Sequence, residues 1–401
     1  MNGRHGGAPG DPRVARIELT PVFVPFREIV IEAMASAGGL GMAIAAEEPW
    51  TGGDFVVLKM VADDGTPGLG EVMLWLPETG ATTEQVVSII RDSLSRYVLG
   101  ESPFDVERIN HRMDINATRN EVAKGLLDMA CYDMMGRIRG VGASEIMGGR
   151  QVDEVSLAAL IPLIDPESMA WLARAFSETG TDSFRCKLGR GAVDDARIIE
   201  SVREAVGDAA RLRVDYNQAY SVDDAVAAIK AIEPFGIDFA EQPVDAGDYI
   251  AMARVQKRVD TPLMAHEGCF SLNDIRVLAE LGAIGVVGIN TERPGGVTRA
   301  LRAIEFAAER GMGACIHNQT LGIASAAQLH IAAARHSSLG HATELFGHVM
   351  LSDDLITGEI DYSNGTATVP SGPGWGVELD EDALREYSSG PTVVLERGRN
   401  G

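Results

Sequence analysis

No run of about 20 apolar residues, the length a helix needs to cross a bilayer, occurs in this sequence. The uncharged stretch 33–46 stops at 14 residues and carries three glycines. The N-terminus has no basic start followed by an apolar segment, so no secretory signal is expected. Cations are also scarce: 35 Lys and Arg stand against 58 Asp and Glu, a formal net charge of −23. Such a balance argues against nucleic acid or an anionic membrane surface as partner. Cysteine is sparse, with Cys131, Cys186, Cys269 and Cys315 scattered and no CxxC pair. They read as reduced, buried thiols of a cytoplasmic protein rather than a disulfide framework.

What is present is ample material for a core. Hydrophobic residues make 45% of a 401-residue chain, which predicts about two domains. Residues 1–13 are Gly/Pro-rich and predict a disordered tail. Residues 14–150 predict an α+β domain. It has a strand at 14–25, a hairpin of 55–62 and 69–74 around Asp-Asp-Gly-Thr-Pro-Gly, and helices over 83–99, 104–116 and 120–139. Residues 27–54 are rich in Met, Ala and Gly with little periodicity, and a loop that long usually covers something. Residues 151–360 change to repeated strand–helix units, and 361–401 return to turns and short strands that should pack back on the first domain.

The repeats carry polar residues at a regular step. Lys187 is followed 28 residues on by Asp215, then by Glu241 and Glu267 at steps of 26. Asn290 lies 23 further on, and His317 and Glu344 follow at steps of 27. Each caps a short, mostly apolar run. A period in the mid-twenties is one strand, one helix and two loops. Right-handed units of that kind close into a barrel whose strand ends converge at one face. An open doubly wound sheet is the alternative, but the even spacing of seven or eight units favours the barrel. Ser221 with Asp224, and Ser271 with Asp274, mark helix starts directly after two of these strands.

Three carboxylates on neighbouring strands, Asp215, Glu241 and Glu267, repel one another unless a cation lies between them. A hard divalent ion with oxygen ligands, Mg²⁺, answers that. Arg185 and Lys187 are two apart and share one face of a strand, with Cys186 turned to the helices. The charge of a nearby ion would lower the lysine's pKa towards that of a useful base. His317 falls almost directly across the barrel from Lys187. His266, adjacent to Glu267, should point away from the ion by strand alternation.

These residues resemble the enolase superfamily, in its mandelate racemase/muconate lactonizing branch, from about residue 14 onward. The matching stretches are FRCKLG, VDYNQ, the EQP of Glu241, the HE of Glu267, RPGGVTRA, IHNQTLGIASAAQLH and GPGWGVELDED. The resemblance implies a capping domain on a modified (β/α)7β barrel, with one Mg²⁺ per subunit held by Asp215, Glu241 and Glu267. It implies removal of the proton α to a carboxylate through an enediolate. Lys187 and His317 fall on the bases of the two faces, Asn217 on a substrate contact, and Glu344 on an acid that hydrogen-bonds the substrate carboxylate. Arg185 stands where the family usually has lysine. Asn290 replaces the Asp that orients the histidine, or a second lysine, and His266 replaces an Asp. Arg185 and Asn290 are counted with the substrate-binding residues. Residues 27–54 match the loop that closes over substrate.

The expected function is racemisation or epimerisation of a small carboxylate by a cytoplasmic homo-oligomer. A hydroxy-acid or sugar-acid dehydratase is the alternative within the superfamily. A Schiff-base aldolase using Lys187 and a non-catalytic barrel are the remoter ones.

Overall fold

A computed structural model describes residues 10–36, 50–318 and 320–397. Eight parallel strands follow in chain order: Ala158–Ile161, Ser183–Lys187, Arg211–Asp215, Ile237–Glu241, Leu263–Ala265, Val286–Ile289, Gly313–Asn318 and Glu344–Leu345. The eighth returns to the first, because Leu157 bridges Thr343 and the Ala158 N–H donates to the Thr343 carbonyl at 2.8 Å. That closure makes a barrel and excludes the open sheet. Seven helices connect the strands, starting with Pro166–Glu178 and ending with Gly322–Ala334. The architecture is the modified (β/α)7β barrel with an N-terminal α+β domain.

The helices begin where the side chains permit. The hydroxyls of Ser221 and Ser271 accept from the Asp224 and Asp274 N–H groups, and Asp165 precedes Pro166 and accepts from the Ser168 N–H. Each cap stabilises its helix by about 1 kcal/mol, and Pro in the first turn loses no hydrogen bond there. Inside the barrel, Phe239, Met264, Val286 and Cys315 from four consecutive strands pack as a small apolar cluster of their own. Above it the strand ends turn polar.

The N-terminal domain is an antiparallel sheet in the order Val393–Glu396, Val14–Pro25, Gly52–Ala62, Pro67–Leu74. The hairpin pairs Phe55 with Met73 and Val61 with Pro67. Helices Thr83–Asp92, Val106–Asn116 and Glu121–Arg139 cover it. The segment 27–54 is not all loop: Glu28–Ser36 is helical and Gly52 already opens a strand, while 37–49 lie outside the described residues. Residues 1–9 of the N-terminal tail also lie outside them. In the C-terminal segment Tyr362–Ser363 pairs with Thr366–Thr368, which in turn pairs with Glu154–Ser156, and Val393–Glu396 joins the N-terminal sheet. All four cysteines are buried free thiols. Among the described residues, no helix is long and apolar enough to cross a membrane.

The two parts meet over the carboxyl ends of the barrel strands. Helix Glu121–Arg139 approaches so closely at Gly125 that a Cβ there would sit 2.5 Å from the Gly296 nitrogen. One turn on, Asp128 accepts from the Thr298 N–H at 2.9 Å and the Thr298 hydroxyl at 2.5 Å, which caps the sixth barrel helix, Val297–Glu309. Glu71, on strand Pro67–Leu74, accepts from the N–H groups of Leu321 and Ala324 at 2.8 and 2.9 Å, so it caps the seventh. Carboxylates of one part thus complete helix N-termini of the other, where orphan N–H groups and the helix dipole favour negative charge.

Candidate active site

Strand ends two, three and four bring Lys187, Asp215 and Glu241 side by side, since Lys187 pairs with Asp215 and Asp215 with Glu241 in register. Arg185, one pleat lower, sits beneath them. Its guanidinium donates to Asp215 Oδ2 at 2.5 Å, Glu241 Oε1 at 2.7 Å and Glu344 Oε1 at 2.7 Å. Lys187 Nζ donates to the same Asp215 oxygen at 2.5 Å and to Asn217 Oδ1 at 2.8 Å. Asn217 also gives its backbone N–H to Asp215 Oδ1, and its amide to Glu267 Oε1 at 3.3 Å, where Gln218 Nε2 joins it. Asn217 and Gln218 both hold positive φ, which turns the chain sharply over the barrel mouth.

Burial pushes all these carboxyls up, and neighbours decide the outcome. At Asp215 the adjacent Lys187 and Arg185 reverse it and hold the group below its ordinary value. At Glu344 burial is likewise outweighed by Arg185 and Arg213. Burial wins at Glu241, which stands well above the usual carboxylate range despite Arg185 and with Asp215 adding to the rise. Glu267 is pushed up to about 7 by burial, then by Asp215 and Glu78. Glu241 and Glu267 are therefore short of positive charge.

His317, on the seventh strand, is 3% exposed, and its Nε2 is buried with no partner. Burial, reinforced by Arg185 and Arg293, keeps it well below the ordinary histidine value, so the ring is neutral. His266 does not point away. Strand five ends at Ala265, so alternation no longer governs the next residue, and its ring lies 4.1 Å from that of His317. Its Nδ1 is 3.2 Å from Glu241 Oε1 and 3.5 Å from Glu267 Oε2, without the angle of a hydrogen bond.

Two expected substrate contacts are engaged elsewhere. Both oxygens of the fully buried Glu344 accept from guanidinium groups, Arg185 at 2.7 Å and Arg213 at 3.0 Å, so this residue holds the arginines in place rather than standing open to a ligand. Asn290 turns its oxygen to the Arg293 N–H at 2.6 Å and shapes the 290–293 turn; it is not the residue that orients His317 through that oxygen. Sequence reasoning passed over Arg213, although two-residue alternation from Asp215 puts it on the inward face. It also passed over Gln218 and Arg293, which lie on loops that have no period to read, and Glu78, whose four-residue helix is too short to show one.

The donor set suits a hard divalent ion. Asp215, Glu241 and Glu267 offer carboxylate oxygens, and Glu267 Oε2 is buried without a partner. Glu241, His266 and His317 also bring one ligand atom each within 4.8 Å of the others. Arg293 Nη2, which can only donate, contacts His266 Nε2. That contact puts the ring's proton on Nδ1 and leaves His266 no lone pair for an ion. The oxygen set is the better site. Glu267 also borders a cavity of about 720 Å³, whose walls include Thr79, Gln85, Arg119, Tyr249 and Phe270, between the N-terminal domain and the barrel loops.

Residues 32–148 match the family model for the N-terminal domain of mandelate racemase and muconate lactonizing enzymes, and residues 168–383 match the enolase C-terminal domain-like model. The chain is similar to the N-succinyl-L-Arg/Lys racemase of Bacillus cereus, 30% identical over 341 residues, 84% of this chain and 91% of the relative. To the L-Ala-D/L-Glu epimerase of Bacillus subtilis it is 31% identical over 373 residues, 91% of this chain and 96% of that one. The crystal structure of the Bacillus cereus racemase covers 96% of this chain and 100% of its own, with a TM-score of 0.86 at 27% identity.

Proposed function

The chain belongs to the mandelate racemase/muconate lactonizing enzyme family of the enolase superfamily and is an isomerase of that family, and on that premise we propose that it inverts the carbon α to the carboxylate of a small acid by two-base proton transfer. The observation that carries this reading is the pairing of Lys187 and His317. They stand on the second and seventh of eight strands, both buried and both close to the carboxylate cluster.

Asp215, Glu241 and Glu267 would hold one Mg²⁺. When bound, the ion supplies positive charge for the substrate carboxylate and for the charge that gathers there as the α-proton leaves. Lys187 takes or returns the proton on one face. Asn217 and Asp215 fix the position of its Nζ, and Arg185, locked by three carboxylates, keeps Asp215 from swinging away. His317 serves the other face. Its neutral ring with an unpartnered Nε2 is ready to accept a proton, and the cost of a buried imidazolium drives it to give that proton back.

Proton NMR in D₂O with a panel of N-acyl amino acids and dipeptides tests this. The wild type should wash deuterium into the α-position with inversion. His317→Asn should stop inversion while exchange from the Lys187 face continues, and Lys187→Ala should show the converse. Loss of water to a 2-keto acid, or full turnover in excess chelator, would overturn the proposal.

A further inference from the structure

Four cations are buried around the barrel mouth, and three of them meet carboxylates in hydrogen-bond contact. Arg185 has Asp215, Glu241 and Glu344; Lys187 has Asp215; Arg213 has Glu344. The fourth, Arg293, is 2% exposed and is held differently. Its Nη1 donates to the carbonyls of Glu78 and His266 at 3.2 and 3.3 Å, and its Nη2 to His266 Nε2. Its Nε is buried with no partner. The nearest carboxylate oxygen, Glu78 Oε2, is 3.6 Å away, beyond hydrogen-bond length. A guanidinium taken out of water and given neutral acceptors is costly unless an anion completes it.

The position says where that anion comes from. Arg293 stands one imidazole ring beyond Glu241, since His266 contacts Arg293 with one nitrogen and approaches Glu241 with the other. Its guanidinium carbon lies 5.4 Å from the centre of the Phe270 ring, and Phe270, Glu267, Thr79 and Gly80 all line the cavity that opens beside the carboxylate cluster. Glu78 precedes Thr79 on the same short helix. A ligand lying in the cavity with one end at Glu267 has its body beside the Glu78–Phe270 corner, behind which Arg293 waits. The planar fork of arginine matches a carboxylate with two parallel N–H donors, and Nε with Nη2 presents such a pair.

We propose that Arg293 anchors a second anionic group of the substrate, displacing Glu78, so that the acids handled at this mouth are dianions. This rests on the reading of the mouth as a carboxylate α-proton site. A substrate carrying one acidic group would leave Arg293 as it stands.

Calorimetry with the Mg²⁺-loaded protein tests the proposal without turnover, using glutarate and glutaramate, which match in length and differ in one carboxylate. A charge-assisted pair predicts about 10- to 100-fold tighter binding of glutarate by the wild type. In Arg293→Gln that ratio should fall to near one, and in Arg293→Lys, which keeps the charge but loses the fork, it should fall partway. Glu78→Gln removes a competing carboxylate and should raise the ratio, a gain that misfolding cannot imitate. A ratio near one in the wild type, a ratio preserved in Arg293→Gln, or no rise in Glu78→Gln would overturn the proposal. Deuterium exchange run in parallel separates the two readings. A ratio that depends on Arg293, with no α-exchange for any acid, would keep the anchor and discard the proton-transfer site.

Discussion

Two groups of buried carboxylates are treated in opposite ways. At the seam between the N-terminal domain and the barrel, Glu71, Asp128, Asp133 and Glu292 are all 2% exposed or less. Their oxygens meet fixed donors. Asp133 accepts from the N–H groups of Leu69 and Trp375 and from Arg137, and Glu292 from the Met73 N–H and the amide of Asn318. At the mouth, Asp215 and Glu344 are saturated by side-chain cations, but Glu267 Oε2 and the facing nitrogens His266 Nδ1 and His317 Nε2 have no partner. Backbone donors cannot move, so the seam is a lock. Donors on side chains can let go, and atoms left unsatisfied in a buried site mark where a ligand completes the structure.

The contrast can be broken most sharply at the mouth. Glu241→Gln should abolish turnover while the melting temperature holds or rises, because like charges are relieved rather than added. Lys187→Ala should cost about 10²- to 10⁴-fold in exchange from its face, with circular dichroism unchanged. At the seam the reverse is expected. Asp128→Ala orphans the Thr298 N–H and hydroxyl and the Asn110 amide, so it should cost about 3 kcal/mol in denaturant unfolding. Equal melting temperatures for Asp128→Ala and the wild type would mean that the seam is no lock.

A smaller effect distinguishes the two regions by pH. Burial lifts Glu71 to about 8 against the lowering by its two backbone donors. A folded-state pKa above the unfolded value of about 4.5 means that the native state binds more protons between those values. The stability contributed by Glu71 is therefore full below pH 4.5 and declines as pH rises towards 8. Glu71→Gln should be less stable than wild type at pH 5, and the deficit should shrink by pH 8. A constant difference across that window would show that Glu71 is ionised throughout. Smallest of all, Ser221→Ala removes a helix cap whose hydroxyl is engaged with Asp224 and should cost about 1 kcal/mol with activity untouched.

How much of this could be read from residues alone follows from what sets each position. Lys187, Asp215 and Glu241 end regular strands, and the regular repeat of strand and helix is enough to put them at one face. His266 was misplaced because the two-residue alternation was carried one position beyond the strand that enforced it. Arg213 obeyed the alternation from Asp215 and was legible in principle. The partners of Glu344 and Asn290 were not. Whether a carboxylate meets substrate or a guanidinium depends on bonds made across the barrel, and only closure sets those distances. Glu71 and Asp128 carry no periodic signal as caps, since the helices they complete lie some 170 to 250 residues further along the chain.

The seam of the barrel also dictates an order of events in time. Glu344 lies on the last strand, 159 residues after Arg185 and 131 after Arg213, and it is the carboxylate that both arginines share. As the chain leaves the ribosome, those two cations are in place long before their common anion exists. Until then Arg185 can pair with Asp215 and Glu241, but Arg213 lacks its carboxylate, which disfavours premature burial of the third strand. Docking of the final strand removes that penalty and closes the barrel in the same step. Chains truncated before Thr343 should therefore expose strands two and three to hydrogen exchange rather than form a smaller barrel.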